Sequence, residues 1–145
     1  MSLVSLKHLT IKKFHEGLTA KKFSAVEVTR EFFNHIKETD KNIGAYLSLN
    51  EEGSIKTAER VDEMVANGEK IPALAGVALA VKDNIMIKAL PATAGSRSLE
   101  SYVASYSAGV IQKLKKEMAV FLGKTNLDEF AMGSSTENSG FHLTR

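Results

Sequence analysis

The 145-residue chain contains no cysteine. That single absence excludes disulfides, thiol nucleophiles and cysteine-ligated metal sites. It fits a reducing compartment without requiring one. Long apolar runs are missing as well. Nothing approaches the roughly 20 apolar residues of a membrane span, and Met1 is followed by no signal-peptide core, so neither a membrane partner nor secretion is expected. The four histidines, His8, His15, His35 and His142, are scattered and form no HExxH pattern. They are expected on helix surfaces or in the core, not around a metal. An excess of one charge is lacking too, since a net charge of +2 gives no electrostatic argument for nucleic acid. The nearest approach to a basic run, Lys113, Lys115 and Lys116, reads as the wet face of a helix.

What is present is an ordinary globular composition, 43% hydrophobic and 25% charged, in a length that suits one domain with a core. Thr10 is placed to cap a short helix bearing Ile11 and Phe14, with Gly17 near its end. At 23-FSAVEV-28, Ser24 and Glu27 make a capping box, and Phe23 and Val28 a hydrophobic staple. Val28, Phe32 and Ile36 then recur at helical spacing, widened by Phe33, which predicts a helix to about Thr39. The segment 45-AYLSL-49 alternates as a strand. A helix from Ser54 to Asn67 is predicted, with Ile55, Ala58, Val61 and Val65 inward and Gly68 at its C-terminal cap.

Beyond Pro72 comes 76-GVALAVKDNI-85, an apolar strand running straight into Lys82. Residues 88–102 read as an irregular loop. A helix from Ala108 to Glu117 is expected to turn Val110, Ile111 and Leu114 inward. It is followed by a strand at 119-AVFLG-123 and one or two helical turns at 127-LDEFAM-132. Strand, helix, strand, helix predicts parallel pairing through a right-handed crossover, an α/β arrangement. Residues 1–70 are then expected as an N-terminal helical layer, and 71–145 as the first strands and helices of the core.

Two motifs fall short on inspection. Gly123-Lys124-Thr125 resembles the end of a phosphate loop, but the glycine required five residues earlier is Met118, and Lys124 reads as lying beyond the strand end. Ser134, Ser135 and Ser139 lack a GxSxG elbow, since Glu137 occupies the position of its first glycine, and read as hydrogen-bonded loop serines. Lys82 is the sharper candidate. Ala78, Ala80 and Lys82 share one face of an extended strand, and Val77, Leu79 and Val81 the other. The alanines leave room for an amine in a dry slot, where the neutral form is favoured and acts as a base. A solvated strand end, or a pair with Asp83, is the plainer alternative.

The runs 76-GVALAVKDNI-85, 93-TAGS-96 and 121-FLGKTNLDEFAMGSSTENS-139 resemble the amidase signature family. GKTNLDEFAMGSSTE, together with 23-FSAVEVT-29, is similar to the A subunits of amidotransferases that serve glutamyl-tRNA(Gln) or aspartyl-tRNA(Asn). The resemblance covers nearly the whole chain. It implies a mixed sheet wrapped by helices, of which this chain holds an incomplete part, and amide hydrolysis by a nucleophilic serine, a second serine in a cis peptide, and a lysine. Lys82 matches that lysine, and Met132 and Gly133 match positions lining the amide pocket. The implied substrate is glutamine. Its ammonia passes to partner B and C subunits, where ATP and Mg²⁺ activate the misacylated tRNA. No cofactor is expected in this chain itself, and the compartment is the cytoplasm or an organelle matrix.

The chain departs from the family in three places. Both family serines lie in a Gly/Ser-rich segment, and no GGSSGG-like run occurs here, so an N-terminal piece unable to run the reaction alone is expected. Glu117-Met118 replaces the usual glycine turn before the second strand, which is expected to loosen it. Ser107 stands where aspartate is common. The alternatives are a piece of a free-standing amidase, or a short protein that binds or scaffolds without catalysis.

Overall fold

A computed structural model describes residues 6–145. Its N-terminal helices begin where the sequence places caps. Thr10 Oγ1 accepts the Lys13 N–H at 3.3 Å to open helix α1 (Ile11–Thr19). Helix α2 (Ala25–Ile43) opens on the reciprocal capping box, with Glu27 N–H donating to Ser24 Oγ at 3.0 Å and Ser24 N–H to the Glu27 carboxylate at 2.7 Å. Asp62 of helix α3 (Glu51–Ala66) accepts the Ala25 and Val26 N–H groups at 2.6 and 3.1 Å, which ties the two helices at that cap.

Both long helices exceed the expected bounds, for local reasons. Helix α2 runs a turn past Thr39 and stops at Gly44, whose φ of +68° lies in the left-handed region. Asp40 in that last turn accepts the Ala45 and Tyr46 N–H groups and leads the chain into strand β1 (Tyr46–Leu49). Helix α3 starts earlier than Ser54 because the Asn50 carbonyl accepts the Ser54 N–H, and Glu51 and Glu52 suit the positive end of the helix dipole. At its other end Gly68 stands one residue past the Asn67 cap with φ +72°.

Strand β3 (Val120–Thr125) is central in a three-stranded mixed sheet of order β1-β3-β2. It pairs antiparallel with β1 and parallel with β2 (Ala78–Lys82). Helix α4 (Gly109–Lys116) lies in the connection between the parallel strands. The first seventy residues are therefore more than a helical layer, because they contribute the edge strand β1. Strand β3 also extends beyond the expected Gly123, so Lys124 lies inside the sheet and not past its end.

Side chains of β3 feed two cores. Val120 and Leu122 join Phe14, Leu18, Val28, Phe33, Ala58 and Val61 of the helical layer. Phe121 joins Val81, Ile87, Ile111 and Ala119. Leu79 also packs on this second cluster, while Ala78 packs on the first, as alternation requires. Val77 precedes the strand and packs on the first cluster, so it does not share the Leu79 and Val81 face. Val110 is 52% exposed rather than inward. Ile111 and Leu114 form the buried stripe, and Val110 stands about 100° round the axis from Ile111.

The departures around α4 are accommodated. Met118 has φ +57°, and the bonds Met118 N–H to Lys115 O and Ala119 N–H to Leu114 O form a Schellman motif. A methionine thus occupies the left-handed position usually given to glycine, and its side chain packs on the first core in return. Ser107 Oγ accepts the Lys88 N–H at 2.9 Å and lies 3.4 Å from Lys115 Nζ, so the serine keeps an acceptor at that place.

Two bulges flank one glycine. Leu79 pairs with Phe121 but Ala80 pairs with Gly123, which leaves Leu122 as an extra residue on β3. Tyr46 pairs with Thr125 but Ser48 pairs with Lys124, which leaves Leu47 extra on β1. A Cβ on Gly123 would collide with the Ser48 carbonyl oxygen and lie 3.0 Å from Leu49 Cα. Gly123→Ala is therefore expected to destabilise the protein by about 2–3 kcal/mol, as overpacking against backbone does. An unchanged urea midpoint for this variant would contradict that account.

Candidate functional site at the C-terminal ends of the parallel strands

Lys82 ends β2, in register with Thr125 at the end of β3. Its side chain and that of Ala80 are exposed in these 145 residues, and Lys82 forms no ion pair among the described residues. The pairing with Asp83 that the sequence leaves open does not occur. The chain turns immediately after Lys82, with the Asp83 N–H donating to Thr125 O at 3.0 Å and the Ile85 N–H to Lys82 O at 2.9 Å. The face carrying Ala80 and the lysine therefore lies open at the end of the sheet, where α/β sheets place ligands.

Asp83 points the other way and is fully buried. Its Oδ1 accepts from Lys124 Nζ at 2.8 Å. Its Oδ2 accepts the Thr93 N–H at 2.7 Å and the Thr93 hydroxyl at 2.5 Å. Lys124 is equally inaccessible and gives a second hydrogen bond to Pro91 O at 2.8 Å. One ion pair therefore closes both ends of the irregular segment 83–93. Lys124 reaches Asp83 because of the bulge at Leu122, which places it in register with Val81. Strict alternation from Val120 would have turned it toward the helical layer.

Every residue of 93-TAGS-96 is then tied either to Asp83 or to the segment after β3. Thr93 bonds Asp83, Ala94 O accepts the Phe130 N–H at 2.8 Å, and Gly95 O accepts the Gly140 N–H at 2.7 Å. Ser96, also fully buried, donates to Glu129 Oε1 at 2.5 Å. Gly95 has φ +68°, and a Cβ there would lie 2.6 Å from Leu127 O.

The segment after β3 holds Met132 and Gly133 at the same end of the sheet. The expected helical turns shrink to one 3-10 turn, Glu129–Ala131, inside which Phe130 has φ +52° and is not helical. Met132 is 77% exposed. Gly133 packs against Asp128, whose Cγ and Oδ2 lie 2.6 Å from where a Cβ would stand. That carboxylate organises the loop. It accepts the N–H groups of Ser135 and Thr136, each at 3.0 Å, and of Asn138 at 2.8 Å. Of the three loop serines, Ser135 and Ser139 are hydrogen-bonded as expected, Ser135 Oγ to Glu137 at 2.9 Å and Ser139 Oγ to Asn126 Oδ1 at 2.6 Å. Among the described residues no group of three or more histidine, aspartate or glutamate side chains is arranged to hold a metal. No helix there is long and apolar enough to cross a membrane.

The resemblance marks Lys82, Met132 and Gly133, whereas the network of Asp83, Lys124, Thr93 and Asp128 is not foreseen in the sequence. The available signal is two lysines, Lys82 and Lys124, each following an apolar strand run, with only one aspartate near the first. Asp128 carries a pH signature. Its backbone donors, Asn138 and Thr136 foremost, hold its carboxyl below the usual aspartate range against the opposing effect of burial. A depressed value in the folded state means that the stabilisation is complete above the ordinary range and is lost as pH falls through the lowered one. Asp128→Asn puts an amide donor against these N–H groups. The variant is expected to be less stable than wild type above about pH 5, with the gap closing as acid protonates Asp128 in the wild type. Thermal melts across that range check this, and a pH-independent gap would refute it.

Comparison with known proteins identifies the family and the fold. Residues 27–145 match the model of the family described as Amidase. The A subunit of glutamyl-tRNA(Gln) amidotransferase from Carboxydothermus hydrogenoformans is 47% identical over 142 residues, which are 98% of this chain and 29% of that protein. The protein of the same name from Desulforudis audaxviator is 46% identical over 140 residues, 97% of this chain and 28% of that protein. Among solved structures, the A subunit of glutamyl-tRNA(Gln) amidotransferase from Thermotoga maritima superposes with a TM-score of 0.75 at 35% identity, covering 99% of this chain and 28% of that one. The peptide amidase of Stenotrophomonas maltophilia gives 0.81 at 26% identity, covering 90% of this chain and 27% of that one. The chain thus spans less than a third of the length of these relatives, and across nearly all of its own length it carries their fold. It belongs to the amidase family.

Proposed function

We propose that these residues are the N-terminal part of the glutamine-hydrolysing component of an amidotransferase, which supplies ammonia for converting Glu-tRNA(Gln), or Asp-tRNA(Asn), to the correctly amidated tRNA. The observation that carries this reading is the near-complete alignment, at 46–47% identity, with proteins named as A subunits of glutamyl-tRNA(Gln) amidotransferase. In this reading Lys82 is the base. No carboxylate among the described residues pairs with its amine. The neutral amine takes a proton through a bridging serine and so activates the nucleophilic serine for attack on the amide carbon. Backbone N–H groups of a glycine-rich loop hold the oxyanion. Both serines are supplied from outside these 145 residues, which alone do not complete the reaction.

Met132, exposed at the same end of the sheet, and Gly133 beside it line the amide pocket in this proposal. The remaining steps belong to the assembly. B and C subunits accompany this one, and the tRNA-bound acid is activated with ATP and Mg²⁺ on the partner. The compartment is that of translation, the cytoplasm or an organelle matrix. The likeness to a peptide amidase, TM-score 0.81, favours a second reading as part of a free-standing amidase. The two separate on partner dependence, since hydrolysis of small amides that gains nothing from B and C subunits selects the free-standing enzyme.

Lys82→Met in the complete protein is expected to lower amide hydrolysis by about 10³-fold, the scale of losing a positioned base. The fold should be retained, because methionine is close to lysine in length and the change breaks no ion pair among the described residues. Lys82→Arg should fail equally, since a guanidinium stays protonated. Steady-state glutaminase assays on folded variants decide the matter, and near-normal turnover by Lys82→Met removes the assigned role.

A further inference from the structure

We propose that Asp83 and Lys124 are positioning residues that fix Lys82, and with it the Met132 and Gly133 loop, in the geometry the reaction needs. This rests on the reading of Lys82 as the base. Lys82 has no ion pair of its own among the described residues, so there the backbone at the end of β2 is what fixes the origin and direction of its side chain. That backbone is held by the ladder to Thr125 and by the very next residue, whose carboxylate is clamped from two sides. Lys124 also grips Pro91 O, so the segment leaving Lys82 returns to a fixed point. From Thr93 the clamp continues through Ala94 O to the Phe130 N–H and through Ser96 to Glu129, which are the residues leading into Met132 and Gly133. One pair of ions therefore sets the base and the pocket wall against each other.

A purely structural role gives no reason for charge at this place, because well-packed apolar side chains of similar volume are often at least as stabilising as a buried ion pair. What apolar packing lacks is direction. Asp83 receives three donors, and Lys124 bonds both the carboxylate and Pro91 O, so each fixes the other's orientation as well as its distance.

The test uses the complete protein in its assembly, with glutamine hydrolysis measured at steady state and thermal melting as the control for folding. The double variant Asp83→Asn/Lys124→Met removes both charges together, so no ion is left unpaired. It is expected to fold and to lose about 100-fold in kcat, the scale of a misplacement near 1 Å. Its KM for glutamine should rise by no more than about 3-fold, because the base acts in the transition state and the Asp128 carboxylate holds the Met132 and Gly133 loop independently. Thr93→Val keeps both ions and the backbone N–H contact and removes two hydrogen bonds, the one its hydroxyl gives to Asp83 and the one it accepts from the Gly95 N–H. It is expected to lower kcat about 10-fold at unchanged KM. A folded double variant with wild-type kcat overturns the proposal. If the double variant does not fold, Thr93→Val decides, and wild-type kinetics in it overturns the proposal equally. Lys82→Met run alongside separates the two ideas. If it is active, both the base assignment and the positioning proposal fail. If it is inactive while the double variant is fully active, only the positioning proposal fails.

Discussion

The contact between Asp83 and Lys124 is the constraint on which this end of the molecule rests. Neither side chain reaches water. Removing two ions from solvent costs several kcal/mol for each, and the attraction between them offsets that cost only if their remaining hydrogen-bonding capacity is also used. Here it is. Both Asp83 oxygens are engaged, and Lys124 divides its donors between the carboxylate and Pro91 O. Among the described residues no buried side-chain nitrogen or oxygen lacks a partner. The segment 83–96 has almost no regular structure of its own, and its backbone groups find their partners in this network and its neighbours.

The ion pair in turn depends on a defect in the sheet. Without the bulge at Leu122, β3 would alternate regularly and Lys124 would enter the helical core among Phe33, Val28 and Leu18. The Phe121 carbonyl lies past the last pair of β1, where the chain turns into α3. Helix α3 answers it, since Ser54 Oγ and Asn50 Nδ2 donate to that oxygen at 2.7 and 3.0 Å. This explains why Asn50 heads α3 without capping it by side chain. The start of a helix, the register of a strand and the burial of a lysine thus form one linked arrangement around Gly123, the position where no side chain fits.

That linkage marks what is legible in the sequence. The caps at Thr10, Ser24 and Gly68 can be read because each is a local agreement between residues three or four apart. The parallel pair can be read from the order of elements. Strand β3 reads short in sequence, with Lys124 outside it, because a bulge depends on what the partner strand does and leaves no periodic trace. The clamp on Asp83 is hidden for the same reason, since its contacts with Thr93 and Lys124 cross 10 and 41 residues of chain. Lys82 is legible as a strand-end residue. Its promotion from solvated lysine to base comes from family resemblance, and the open face it occupies accommodates either state.

Gly133 shows why a motif position and a chemical role are separate matters. Resemblance places it at the amide pocket, but the Asp128 carboxylate already fills the space a Cβ would take. A glycine is required there whether or not a substrate ever touches it, so its presence in the motif says nothing about binding by itself. Met132 is different. It extends into solvent beside two consecutive non-glycine residues, Phe130 and Ala131, at φ +52° and +61°. Left-handed geometry costs about 1–2 kcal/mol at such a residue, and no local packing of Met132 offsets it, since that side chain is 77% exposed. The bonds from the Phe130 N–H to Ala94 O and from the Ala131 N–H to Asp128 O hold the turn in place. A strained turn fastened at its base and carrying an uncovered apolar side chain at its tip is arranged to present that side chain. Among the described residues it is Met132, more than the glycine beside it, whose side chain is left free for contacts beyond them.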